Sequence, residues 1–255
     1  MKHRQLKSTL GRITALLTLA GGLTTTMVYA GEATAELSPG DIFDKVRANY
    51  ASLVTYSDEG TVVVSFNDNP ATTTSFDIRL ARPNFYRVRW NQTGDSSSPA
   101  QTGSFGSVWS SGADNHLQAD FGLEDEDSPE LALGVAASLS AGVTTAVPLI
   151  FLHSQLDDAL GDAAYEDQRQ ADGPVGKVDC YVVTRVMLLQ RKTFWIGKQD
   201  WLIHQIQTVT GVDVPVLPEG KLNWQTKVSF HRVVFTETHR NILVNQPLKQ
   251  SDFIP

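Results

Sequence analysis

The sequence holds a single cysteine, Cys180, in 255 residues. One thiol excludes an intramolecular disulfide framework and any metal site built from clustered cysteines. Basic residues are also in deficit, 21 Lys and Arg against 28 Asp and Glu, for a formal charge of −7. Holding nucleic-acid phosphates requires a surplus of cations, so nucleic acid is excluded as the main partner. The signatures of several enzyme classes are absent. There is no Gly-x-Ser-x-Gly elbow, Gly103-Ser104-Phe105-Gly106-Ser107 having the wrong spacing. There is no phosphate-cradling Gly-rich loop with its Lys and no His-Glu-x-x-His. His116, His153, His204, His231 and His239 are scattered, which gives no metal-ligand pattern. The acidic run Glu124-Asp125-Glu126-Asp127 lacks the alternating spacing of a calcium loop and reads as a solvated turn. No internal repeat is visible, no cofactor is expected, and the chain reads as a non-enzyme.

The rest of the composition is that of an ordinary globular protein, 41% hydrophobic and 19% charged, with a length that suits one domain or two small ones. Residues 1–30 stand apart. Lys2, Arg4, Lys7 and Arg12 form a basic start, Ile13 to Leu23 is an apolar stretch too short to span a bilayer comfortably, and Val28-Tyr29-Ala30 puts small side chains where a signal peptidase reads. The expectation is a signal peptide cleaved after about Ala30, followed by one exported domain over 31–255; an uncleaved anchor is the alternative. Removing four of the 21 basic residues and none of the 28 acidic ones leaves 17 against 28, a charge of −11.

Ser38-Pro39-Gly40-Asp41 is a helix start, with a capping Ser, Pro at the first helical position and an acid facing the positive end of the dipole. Ile42, Phe43, Val46, Tyr50 and Leu53 then recur at helical spacing. The period next changes to two: Val62, Val64 and Phe66, then Phe76, Ile78 and Leu80, then Tyr86, Val88 and Trp90 are apolar while their neighbours are polar. These are antiparallel strands with one apolar face, the first two joined by turn chemistry at Asn67-Asp68-Asn69-Pro70. Residues 91–107 read as a mobile Gly/Ser/Thr-rich loop, with short strands around 106–110 and 116–121. Strands return over 178–187, 193–196, 201–209 and 224–236, with a hairpin turn at Gly197-Lys198-Gln199-Asp200. Eight to ten strands describe one large curved sheet or barrel.

The middle breaks this pattern. Ser128-Pro129-Glu130 is a second helix start, and Leu131 to Leu152 carries no charge. Gly134, Gly142, Thr144-Thr145 and Pro148 interrupt this stretch, and its flanks are acidic, which argues against a membrane span and for two short apolar helices broken near Gly142. A one-faced sheet under a removable apolar cover suits a lipid carrier; the same alternation also describes a filled core. Trp90, Trp109, Trp195, Trp201 and Trp224 could line a cavity or pack in a core. Cys180, within a strand, reads as a small buried hydrophobe, the alternative being a free thiol that dimerises in an oxidising compartment.

Several segments in order carry a family resemblance: Asp41-Ile42-Phe43 to Tyr50-Ala51-Ser52-Leu53; Tyr56-Ser57-Asp58-Glu59-Gly60; Phe76 to Arg82-Pro83-Asn84-Phe85-Tyr86-Arg87-Val88; Val108-Trp109-Ser110-Ser111-Gly112; Gly176 to Val183; Phe194-Trp195-Ile196-Gly197 to Trp201-Leu202-Ile203; Asn245-Gln246-Pro247 and Phe253-Ile254-Pro255. The chain resembles the LolA-like periplasmic lipoprotein-carrier superfamily, and more narrowly a family of exported proteins expected to share that fold. The resemblance implies a mainly β (α+β) fold, an incomplete antiparallel β-barrel with helices over its mouth. It implies a periplasmic carrier or binding protein for lipid, acyl chains or lipoprotein. A non-catalytic envelope interaction or stress-sensing module with a filled core is the alternative, since relatives of this fold serve as envelope-stress sensors. Expected partners are acyl chains and an envelope membrane protein, with the chain a monomer. The expected cavity residues are Val62, Val64, Phe66, Phe76, Ile78, Leu80, Tyr86, Val88, Trp90, Val228 and Phe230. Leu131, Leu133, Leu139, Val147, Leu149 and Ile150 would form the cover, which acyl chains would displace reversibly.

Overall fold

The computed structural model describes residues 36–66, 69–94, 105–120, 122–153, 166–187, 190–211 and 232–255. The expected signal peptide, the turn residues Asn67 and Asp68, and Trp224, Val228, Phe230 and His231 lie outside the described residues. The first element is helix α1, Pro39–Ser52. Ser38 caps it as the sequence suggests: its hydroxyl accepts from the Asp41 backbone N–H and Asp41 reaches back to the Ser38 N–H. Its apolar face, Ile42, Phe43, Val46 and Tyr50, is buried.

Six strands follow: β1 Thr55–Phe66, β2 Asn69–Ala81, β3 Phe85–Gly94, β4 Phe105–Ser111, β5 Asn115–Ala119 and β6 Gly122–Glu126. They form an antiparallel meander, each pairing with the next. The acidic run expected to be a solvated turn is instead strand β6, its Glu124, Asp125 and Glu126 paired with Leu117, His116 and Asn115. An edge strand tolerates such charge because both of its faces meet water, and charge there discourages further pairing. Helices α2, Pro129–Leu139, and α3, Val147–His153, come next, so the uncharged stretch is two short helices. No described helix is long and apolar enough to cross a membrane. The break falls where expected, Gly142 having φ +93°.

The remaining strands are β7 Glu166–Arg169, β8 Gly173–Val175, β9 Val178–Met187, β10 Gln190–Gly197, β11 Ile203–Thr210 and β12 Val233–Val244. All twelve belong to one sheet, ordered β6-β5-β4-β3-β2-β1-β12-β11-β10-β9-β7, with β8 also on β9. The two end strands, β6 and β7, do not pair with each other, so the barrel is incomplete. The architecture is the mainly β, open antiparallel barrel with accompanying helices that the resemblance implied. The first and last of the described strands meet at the centre of the sheet through the β1–β12 ladder.

The inward face of the sheet and the three helices share one core, including Tyr56, Val62, Ile78, Leu80, Tyr86 and Val88 from the strands, and Leu133, Val147, Ile150 and Phe151 from the helices. Arg82 ties helix ends to the sheet. Its guanidinium donates to the carbonyls of Leu53 (3.0 Å), Tyr50 (3.2 Å) and Phe151 (2.7 Å), and lies 4.8 Å from the centre of the Phe151 ring. On the opposite face Arg87, paired with Asp77 at 2.9 Å, donates to the Ile254 carbonyl at 3.4 Å, and Arg79 pairs with Asp252 at 3.4 Å. With Phe253 against Phe85 at 5.5 Å, these contacts fasten the C-terminal residues to β2 and β3.

Candidate functional site

The core is not filled throughout. A cavity of about 530 Å³ lies between helix α2 with the turn after it and the inward face of β1, β10, β11 and β12. On the helical side it is lined by small residues, Gly134, Ala137, Ser138, Ala141, Gly142, Thr145 and Ala146. Gly134 is exposed at the rim of this space, and a Cβ built there would meet no heavy atom within 4 Å.

Strand register orders the sheet side. One row across the ladder is Val62, Glu237, Ile206 and Phe194; the next, toward the β9–β10 connection, is Val64, Phe235, Thr208 and Lys192. Gln190 stands beyond Lys192 on the same face of β10, because alternate residues share a face. The first row is apolar at Val62, Phe194 and Ile206 around the Glu237 carboxylate, and the second, with Gln190, is polar at Thr208 and Lys192 beside Phe235. Among the described residues, Lys192, Thr208 and Gln190 make no side-chain hydrogen bond or ion pair within bonding distance. Burial draws the Lys192 ammonium below its ordinary pKa, and the nearby charge of Glu237 opposes that shift without cancelling it.

Glu237 is the cavity-lining end of a buried charged row. His239 Nδ1 donates to Asp58 Oδ2 at 2.5 Å, and His239 Nε2 lies 3.2 Å from Glu237 Oε1. The hydroxyl of Tyr56 donates to the same Asp58 oxygen at 2.7 Å. Asp58, His239 and Glu237 are 2%, 3% and 8% exposed. Burial alone would lower the imidazole, but the Asp58 charge and hydrogen bond, with Glu237 on the other side, outweigh it and push His239 up to about 10. His239 is therefore an imidazolium between two carboxylates. Gly60 makes room for it. This glycine pairs with His239 on one side and Phe76 on the other, and the two rings approach over it to 5.4 Å.

The expected site residues are distributed unevenly about this cavity. Val62 lines it. Val64, Phe76, Ile78, Leu80, Tyr86, Val88 and Trp90 are buried in the packed part of the core, filled by α1, α2 and α3. Phe66 is 42% exposed at the end of β1. Val228 and Phe230 lie outside the described residues. In the expected cover, Leu133, Val147 and Ile150 are buried in the core and Leu139 and Leu149 pack against it, while Leu131 is 47% exposed. Helix α2 buries Leu133 with Ala132 and Ala136 in the core and turns Gly134, Ala137 and Ser138 to the space. The physical reason is that a helix resting on a sheet buries its bulky stripe, and open volume remains only where side chains are short.

Sequence reading did not single out Asp58, Lys192, Glu237 or His239. The signal for Lys192 was the alternation Gln190, Lys192, Phe194, Ile196, one strand face running from polar to apolar. Gly134, Ala137, Ser138 and Ala141, at helical i, i+3, i+4 and i+7 spacing, carried the signal for the open face of α2. The Asp58–His239 pair spans 181 positions and leaves no local trace. His204, on strand β11, also has a carboxylate partner, Asp200 at 2.9 Å, four positions earlier in the turn before the strand. Cys180 is fully buried, and burial pushes its thiol up to about 11.

No family model matches the chain, and no curated protein matches it. Solved structures align over most of its length. A DUF1329 family protein from Desulfovibrio piger is 13% identical, with 84% of this chain and 96% of that one covered and a TM-score of 0.34. A LolA superfamily protein from Nitrosomonas europaea is 10% identical, covering 86% and 99%, with a TM-score of 0.34. LprF from Mycobacterium bovis is 11% identical, covering 83% and 96%, with a TM-score of 0.41. Likenesses of this degree carry no argument about function, which rests on the cavity itself.

Proposed function

We propose that the protein is an exported, periplasmic, non-catalytic carrier or binding protein for lipid or acyl chains, with residues 1–30 as its cleaved signal peptide. One observation carries the reading: a cavity of about 530 Å³ roofed by the small residues of α2. That volume falls within the range of small-molecule sites, about 300 to 1,000 Å³. Each methylene moved from water into such a space gains about 0.8 kcal/mol, so a chain of ordinary acyl length binds without a dense set of polar contacts. Loading would proceed by outward movement of α2 and the Ser140–Ala146 segment. That segment is anchored to α2 by few polar links, among them Thr144 donating to the Leu133 carbonyl at 2.6 Å and the Gly142 N–H donating to Ala137 at 2.8 Å.

The test fills the space from the helix side. Gly134→Leu combined with Ala137→Phe projects two larger side chains one turn apart from α2 into the cavity. We expect the variant to fold and to lose at least tenfold in affinity for a fluorescent fatty-acyl probe. Unchanged affinity in a folded variant would place the acyl site elsewhere, and no binding by the unaltered protein would favour the stress-sensing module.

A further inference from the structure

Resting on that reading, we infer that the cavity selects single-chain amphiphiles with an oxyanion head: the carboxylate or phosphate sits against Lys192, flanked by Gln190 and Thr208, and the chain runs inward toward Phe194, Ile206 and Val62. Three observations converge. Lys192 lines the cavity, yet among the described residues it has no acid or acceptor within bonding distance, and Glu237 acts on its ammonium only as a nearby charge. Thr208 lies directly opposite it in the ladder and Gln190 two residues along its own strand face, both also without a side-chain partner among the described residues. These donors sit at one end of the space, and beyond them Val62, Phe194 and Ile206 give the acyl chain apolar surface on either side of the Glu237 carboxylate. The neighbouring acid, Glu237, is already committed, held 3.2 Å from the His239 imidazolium. The neighbouring guanidinium, Arg185, is paired with Asp167 at 2.7 Å. Among the described residues lining the cavity, Lys192 is thus the cation with charge to offer a ligand, and a charge-assisted hydrogen bond in a desolvated site is among the strong ones.

The experiment measures binding of three ligands with the same sixteen-carbon chain to the exported protein: palmitate, 1-palmitoyl lysophosphatidate and 1-hexadecanol. Each is measured against the unaltered protein, Lys192→Met and Lys192→Arg, with thermal unfolding recorded for every variant. We expect one or both anions to bind at least about tenfold tighter than the alcohol. Lys192→Met should abolish that preference without weakening hexadecanol, and Lys192→Arg should restore it. Whichever anion binds tighter identifies the head as carboxylate or phosphate. Equal binding of all three ligands, or a preference unchanged in Lys192→Met, overturns the head assignment and leaves the carrier reading standing. Should Lys192→Met fail to fold, the comparison of ligands on the unaltered protein and Lys192→Arg still decides. Failure of all three to bind the folded protein overturns the carrier reading itself.

Discussion

Asp58, His239 and Glu237 lie where water scarcely reaches, and the His239 imidazolium is what offsets the two acids on either side of it. Removing one partner strands the others. Asp58→Asn should therefore cost about 3 to 5 kcal/mol in urea unfolding, the usual result of breaking a buried pair. A sign follows for pH. His239 stands near 10 in the fold against about 6.5 when unfolded, so its contribution is fully present below about pH 6.5 and is lost as pH rises through 10. The stability gap between the protein and His239→Gln, measured by urea unfolding, should be widest near pH 6 and shrink toward pH 10. A gap constant across that range would mean that His239 is neutral in the fold. Gly60 is the backbone condition for the same cluster: an added Cβ would come within 2.2 Å of both the Phe76 ring and the Thr238 carbonyl. Gly60→Ala should destabilise by about 1 to 3 kcal/mol, as overpacking does, although the residue sits in a strand where alanine is otherwise preferred.

Helices α1 and α2 start as their sequences dictate, and the starts can be tested. The Ser128 hydroxyl accepts from the Leu131 N–H at 3.2 Å, so Ser128→Ala should cost about 1 kcal/mol and speed hydrogen exchange within Pro129–Leu139. Exchange unchanged in that helix would show the cap to be dispensable. Arg82 acts on two helices at once. Arg82→Met keeps the aliphatic stem and removes the donors to Tyr50, Leu53 and Phe151, and should raise exchange at the C-terminal ends of both α1 and α3. The helix starts and strands β1 to β3 were legible because capping residues and alternation are local signals. Strand β6 was not, since Gly122–Glu126 owes its conformation to pairing with β5 rather than to any apolar face of its own. Strand β12 runs further than expected: residues 224–231 of the expected strand 224–236 lie outside the described residues, and the described strand Val233–Val244 carries Thr238, His239 and Arg240 into the ladder with β1. Those polar residues mask the period that marks an apolar-faced strand.

Across the whole molecule, the pairing of β1 with β12 closes the centre of the sheet and brings Asp58 to His239, while β6 and β7 leave the barrel open. The general plan, a large antiparallel sheet under short apolar helices, followed from the sequence because strand period and helix caps repeat along the chain. The site followed only in part. Apolar strand faces identify what points inward, and they cannot distinguish Phe76 or Tyr86, surrounded by packed neighbours, from Val62, which borders open space. That distinction depends on the small residues of a helix some seventy positions away. The central claim is that this space takes an acyl chain. Native mass spectrometry of residues 31–255, purified without detergent and then reloaded with palmitate, tests it most directly. A stoichiometric acyl adduct, lost in the Gly134→Leu, Ala137→Phe variant, is the result predicted here. A bare mass before and after reloading, from protein shown to be folded, would contradict it.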